Sequence, residues 1–237
     1  MSNIIRSLNK IYRKCKNIYR FKKYKKNENT IQVSDSIIRQ LKLNIDGKRN
    51  NIIIKHVKLN PKARLCINII GDNNNIEIGN ISLGDKLEIK LGLLHQNFGP
   101  IHNSKFIIRD NTSIENLEYI AFNSNSNCYI GNDCMISYSV VLYNTDAHAI
   151  LEYGTNELIN FVDGINIGNH CWLGRNVTIM RNTTIADDCI IGSNSVVSGK
   201  LITPHAIYAG NPTKLIKTNR TWNSNGKKYG YIDNDRK

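Results

Sequence analysis

Three features of the 237-residue sequence predict an all-β chain wound as a parallel β-helix. Aliphatic residues stand six apart in two blocks, Ile130, Ile136 and Leu142, then Ile167, Leu173, Ile179, Ile185, Ile191 and Val197. From Ile165 the chain divides into six-residue units, I-N-I-G-N-H, C-W-L-G-R-N, V-T-I-M-R-N, T-T-I-A-D-D, C-I-I-G-S-N and S-V-V-S-G-K. Cys128, Cys134, Cys171 and Cys189 each lie two residues before a periodic aliphatic, marking a recurring small-residue slot. A helix requires a 3.6-residue period and a plain strand a period of two, so neither yields a strict six. One short strand plus one bend per unit does. The aliphatics then stack in interior ladders and the small residues fit the corners.

Residues 1–27 are expected to form a separate basic amphipathic helix. Ile4, Leu8, Ile11, Cys15 and Ile18 alternate by four and three, the apolar stripe of such a helix. Residues 1–26 hold ten Lys/Arg and no Asp or Glu, out of a net charge of +13. The remainder is close to balanced, so the basic character belongs to one segment. Three readings stand for it: a solvated helix packed on its own assembly, an interfacial helix on anionic lipid, or nucleic-acid binding. No recognised nucleic-acid module accompanies the charge, and no nucleic-acid partner is expected.

Residues 45–127 read as irregular solenoid coils with outward loops. G-K-R-N-N-I-I-I at 47–54 returns as G-D-N-N-N-I-E-I at 71–78, a spacing of 24. Residues 128–198 form the regular hexad region, interrupted by an excursion over 143–164 whose part 149–164 leaves the coil. The interval from position 148 to Ile167 is nineteen residues, one more than three hexads. Long loops on a rigid scaffold commonly carry function. Over 199–217, Asn211 as cap and Pro212 at the first turn predict a short helix. The tail 218–237 has no periodicity and is expected to be flexible. Asparagine is abundant throughout, and single asparagines are given no role.

No apolar run approaches the roughly 18 residues that would span a bilayer. The start of the chain lacks the apolar core and cleavage site of a secretory signal. Six cysteines without an export signal read as reduced thiols, and the expected compartment is the cytoplasm, peripheral to the inner membrane face if residues 1–26 bind lipid.

The six-step after Leu142 lands on His148. An isolated histidine on a ladder is most often a packed core imidazole. This one stands where regularity breaks, beside Asp146 and before the excursion, and a neutral imidazole is well matched to accept a proton near pH 7. Asp146 has two readings, orienting that imidazole or capping its own turn. Trp172 follows His148 by 24 residues. A tryptophan on a solenoid face often serves only packing, but Cys171 and Leu173 take the inward positions, which argues for an outward ring.

N-T-D-A-H-A-I at 144–150, I-N-I-G-N-H-C-W-L-G at 165–174 and A-G-N-P-T-K at 209–214 together resemble the hexapeptide-repeat acyltransferases. The resemblance covers roughly residues 110–217 and is closest to bacterial capsule and sialic acid polysaccharide O-acetyltransferases. It implies a left-handed β-helix, a homotrimer with active sites between subunits, and acetyl-CoA as acetyl donor without a metal. It implies a glycan acceptor, with His148 as general base and Trp172 lining the site. Carried over in the same way, Arg175, Ser193 and Ser198 fall on coil positions that contact the pantetheine arm. Lys214 and Lys217 match basic residues near the nucleotide phosphates. Arg175 and Ser193 depart from the small residues common at their positions.

The expected function is transfer of acetyl from acetyl-CoA to a hydroxyl of a bacterial surface polysaccharide, capsular or lipopolysaccharide, sialic acid-containing glycans among them. Two alternatives remain, an N-acetyltransferase of an amino sugar nucleotide and a non-catalytic β-solenoid scaffold. A scaffold predicts an unbroken hexad run. A γ-type carbonic anhydrase would need three histidine ligands, two about five residues apart, and Tyr153 occupies that spacing after His148.

Overall fold

The fold follows from how one aliphatic ladder closes on itself. A computed structural model describes residues 21, 23–34, 40–92 and 99–229. Each coil contributes strands to three faces. The first face stacks Thr30–Val33, Asn51–Ile54, Asn75–Ile78, Lys105–Ile108, Asn127–Ile130, Gly164–Ile167, Thr183–Ile185 and Lys200–Leu201. The second runs through Met135–Ile136, Trp172–Leu173, Ile190–Ile191 and Ile207–Gly210. The third runs through Val140–Tyr143, Thr178–Met180 and Val196–Val197. Ile81–Leu91 and Thr112–Ala121 bend across the corner between the second and third faces and join them into one sheet. Pairing along the coils is parallel, so each residue sits over its counterpart one coil away.

All nine predicted ladder positions are at most 1 % exposed. Cys134, Cys171 and Cys189 fill the corner between the first and second faces. Their thiols donate to the carbonyl oxygens of Gly168 (3.3 Å), Ala186 (3.2 Å) and Thr203 (3.4 Å). The five described cysteines are free thiols.

The 24-residue repeat is one coil, since Asn51 pairs with Asn75 and Ile54 with Ile78. Its glycines are required by close approach. A Cβ on Gly71, at φ +127°, would lie 1.8 Å from the carbonyl oxygen of Ile101. Asparagine has a larger part than the sequence reading gave it. Asn29, Asn50 and Asn74 are buried in a column, each side-chain oxygen accepting from the backbone N–H of the next member at 2.8, 2.9 and 3.0 Å, ending on Ser104. The column supplies partners that water cannot supply in a buried corner. Asn73, Asn103, Asn111, Asn125, Asn176, Asn182 and Asn194 take φ between 56 and 61°. Asparagine tolerates that left-handed bend better than most residues.

Two expectations are corrected. No helix forms over 199–217. Ile207–Gly210 turns back through a cis Asn211–Pro212 bond and pairs antiparallel with Thr213–Lys217. Pro212 sits at the third position of that tight turn, where a cis proline is accommodated. A strand was available beside the chain, and pairing with it satisfies backbone groups that an isolated turn of helix would leave open. The tail is not free of structure either, because 220–222 docks along a corner of the solenoid. The predicted helix 1–27 lies mostly outside the described residues. At its end Phe21 and Tyr24 are buried, and Tyr24 donates to the carbonyl oxygen of Leu43 at 2.6 Å.

Ile179 is fully buried on the third face. Ile179→Ala should cost about 2–5 kcal/mol in urea denaturation. Ile179→Asp should leave no cooperatively folded protein by circular dichroism, because it buries an unpaired charge.

Candidate functional site

The ladder ends at Leu142 for a local reason. Asn144 and Thr145 are fully buried and polar. Asn144 Nδ2 donates to Tyr119 Oη (3.1 Å) and to the Asn127 carbonyl (3.2 Å). Thr145 Oγ1 donates to Asn123 Oδ1 at 2.8 Å and accepts from Ala147 N at 2.9 Å. Ala147 then adopts φ +62° and the chain leaves the coil. His148 is therefore exposed, on the lip of the corner between the third and first faces, and not on the interior ladder.

The excursion closes on itself through an antiparallel bridge between Leu151 and Leu158, with Ile159 N donating to Ile150 O at 2.9 Å. Buried Asn160 holds its base. Its Nδ2 donates at 2.8 Å to both Asp146 Oδ2 and the His148 carbonyl, and its Oδ1 accepts from Ile150 N at 2.8 Å. Asp146 Oδ2 also forms an ion pair with Arg181, one coil further on. This is a third reading of Asp146, a tie between the His148 turn and the next coil. Asn182 completes the latch, donating to the Phe161 carbonyl at 2.7 Å and accepting from Asp163 N at 2.6 Å. Asn160, Arg181 and Asn182 were not singled out from the sequence. The nineteen-residue interval showed only that a loop leaves there.

Trp172 lies on the second face between Met135 and Ile190, pointing outward at 36 % exposure. Its cross-strand row continues through Ile190 and Ile207 to Lys217. Three strand spacings span about 14 Å. Lys214 and Lys217 are both exposed on the terminal strand. Arg175 and Ser193 stack on the corner between the second and third faces, Arg175 N donating to Ser193 Oγ at 3.2 Å. The Arg175 guanidinium lies 5.7 Å from the Tyr138 ring centroid. Ser198 is exposed at the corner that carries His148, apart from the other four.

The corner beside Trp172 holds a second unpredicted cluster. Asp188 accepts from His170 Nδ1 at 2.8 Å, His205 Nδ1 at 2.7 Å and Thr221 Oγ1 at 2.7 Å. Burial pushes its carboxyl up, but the bonds from Thr221, His170 and His205 outweigh this and leave it below the ordinary carboxylate range. Trp222 stacks on His170 with ring centroids 4.4 Å apart and donates Nε1–H to the His170 carbonyl at 2.8 Å. Its indole lies 6.2 Å from that of Trp172.

His148 and Trp172 do not meet within one chain. In a three-faced coil the corner after the third face lies opposite the second face, with the aliphatic core between. A site using both requires a second copy.

Residues 164–199 match the bacterial transferase hexapeptide (six repeats) family model. The chain is 34 % identical over 119 residues to a polysialic acid O-acetyltransferase of Escherichia coli O1:K1 / APEC, covering 50 % of this chain and 38 % of that protein. It is 32 % identical over 93 residues to a polysialic acid O-acetyltransferase of Neisseria meningitidis, covering 39 % of this chain and 43 % of that protein. The match thus spans about two fifths of the length of these curated relatives. The crystal structure of a polySia-specific acetyltransferase superposes with a TM-score of 0.62 at 28 % identity, over 82 % of this chain and 76 % of that one. The chain carries the hexapeptide repeat and the left-handed β-helix of these acetyltransferases.

Asp188→Asn should free the segment 218–222, read as a red shift and increased quenching of tryptophan emission with the coil intact by circular dichroism. The sign with pH follows from the lowered carboxyl. Its contribution is complete above the ordinary carboxylate range and is lost as pH falls through the lowered folded value. The same emission change should therefore appear in the parent protein only in acid.

Proposed function

We propose that this hexapeptide-repeat chain is an O-acetyltransferase that moves acetyl from acetyl-CoA to a hydroxyl of a bacterial surface polysaccharide. The observation that carries the reading is His148 on an exposed, latched lip, with Trp172 outward on the opposite side of the coil. Two copies side by side bring these two half-sites together. A homotrimer closes such a ring with three identical sites. The excursion supports the contact: Tyr153 is fully exposed, Phe161 69 % and Ile159 54 %, a run of apolar surface that a neighbouring copy would cover. The polysialic acid activity of the relatives favours a sialic acid-containing glycan as acceptor.

In this mechanism the imidazole of His148 takes the proton of the acceptor hydroxyl as its oxygen attacks the thioester carbonyl carbon. The tetrahedral intermediate collapses with breakage of the C–S bond, and the departing thiolate recovers the proton from the imidazolium. No acyl-enzyme forms. A positioned base contributes about 10²–10⁴-fold, and holding both substrates in one cleft removes much of the entropic barrier. Asn160, Asp146 and Arg181 fix the turn that presents the base. The donor lies along the second face, its reactive end at Trp172. Its phosphates lie toward Lys214 and Lys217, and Arg175 and Ser193 line the flank.

His148→Ala should lose about 10²–10⁴-fold in kcat while binding coenzyme A as the parent does. Trp172→Ala should also impair turnover with the fold intact. The assay is acetyl-CoA consumption against a panel of capsular and lipopolysaccharide glycans. Undiminished activity in the His148 variant would remove it from the mechanism, and no turnover of any glycan by the parent would remove the reading.

Among the described residues no helix is long and apolar enough to cross a membrane. Residues 1–26, with ten basic side chains, are proposed to hold the enzyme at an anionic inner membrane face, where such acceptors are assembled. The full chain should sediment with phosphatidylserine vesicles at low salt and be partly released at high salt. Deleting residues 1–26 should abolish sedimentation and spare activity. If the truncated protein falls to monomers instead, the segment is an assembly element.

A further inference from the structure

The segment that follows the terminal strand climbs back along the solenoid. Arg220 N donates to the His205 carbonyl at 2.8 Å, Thr221 Oγ1 reaches Asp188, and Trp222 Nε1 reaches the His170 carbonyl. His205, Asp188 and His170 are the corner residues of three successive coils, each with φ between 52 and 56°. The strap therefore runs parallel to the row Trp172, Ile190, Ile207 and Lys217, one corner away from it. On the other side of that row stands the corner bearing Arg175. The strap and the Arg175 corner thus flank the row on its two sides, and the Trp222 indole of the strap lies against Trp172 with ring centroids 6.2 Å apart.

We propose that this strap is a wall of the donor site and that Trp222 contacts the acyl-pantetheine arm, forming with Trp172 an aromatic notch at its reactive end. The inference rests on the donor placement given under Proposed function and adds a residue outside the hexapeptide repeats. Three observations support it. Trp222 is half-buried, stacked and hydrogen-bonded, so its ring is held in one orientation at little further entropic cost on binding. Its neighbour Trp172 is 36 % exposed. Asp188 spends both carboxylate oxygens on the strap and its corner histidines, which is a built attachment and not a chance contact of a trailing end.

Trp172 and Trp222 are the two tryptophans of the chain, so intrinsic fluorescence reads this notch directly. The test titrates coenzyme A into full-length parent, Trp222→Ala and Trp222→Phe, with acetyl-CoA kinetics alongside. Coenzyme A should quench parental emission. Trp222→Ala should weaken its binding by about 3- to 10-fold and raise the KM for acetyl-CoA to match, with the acceptor KM unchanged. Trp222→Phe should recover most of the loss. Tryptic cleavage after Arg220 should slow when coenzyme A is bound. An active Trp222→Ala enzyme with parental coenzyme A affinity, or a cleavage rate indifferent to coenzyme A, overturns this inference alone. A parent that binds no coenzyme A overturns it together with the donor assignment beneath it.

Discussion

Stacking of like on like across parallel coils is the constraint on which the rest of this molecule depends. In register, Ile167 lies over Ile185, Leu142 over Ile179 and Leu173 over Ile191. Each ladder removes apolar surface from water continuously, at roughly 25 cal/mol per Å² buried. It also fixes the corners, because a coil that closes too early or too late would move every later residue to another face. The corners are where backbone polar groups lose water, and the two halves of the chain meet that cost differently. In the first half buried asparagines pass hydrogen bonds from coil to coil. In the second, buried thiols donate to carbonyl oxygens at a different corner, the one between the first and second faces.

Function becomes possible where that regularity is given up under control. Asn144 and Thr145 fill the next interior places with buried polar side chains, whose Nδ2 and Oγ1 donors are met by Tyr119, Asn127 and Asn123. What emerges is an exposed histidine on a turn tied at both ends. The Asp146–Arg181 pair is half-buried, with side chains 19 % and 22 % exposed. Such a pair adds little net stability by itself. Its contribution is positional: together with Asn160 it joins the turn that bears His148 to a rigid coil, and in the proposed role a base held this way loses less on reaching its working geometry.

The opposite placement of His148 and Trp172 means that the proposed two-residue site needs two copies of the chain side by side. A β-helix offers rigid flat faces and few deep clefts, so a two-substrate site is most readily made between two coils side by side. The strap adds relief to one of those faces. It raises a wall beside the Trp172 row from a segment that belongs to no repeat, at the cost of ordering only a few residues.

Much of this was legible in the residues alone. The hexads fixed the ladder because interior stacking acts locally: every sixth residue meets the same environment whatever the distant chain does. The same logic made Trp172 outward and marked 149–164 as leaving the coil. The 24-residue repeat of Gly-x-x-Asn-Asn gave one full coil of the irregular half. The asparagine column was present in that repeat, but a buried amide looks no different in sequence from a solvated one. Asn211–Pro212 carried an ordinary helix-start signal, overridden because the preceding strand offered an edge to pair with. Arg181 on Asp146, 35 residues apart, and Trp222 on His170, 52 apart, follow no period. Those contacts depend on where whole coils come to rest against a returning chain. Periodicity assigns each residue its face, but only the completed stack decides which distant side chains share a corner.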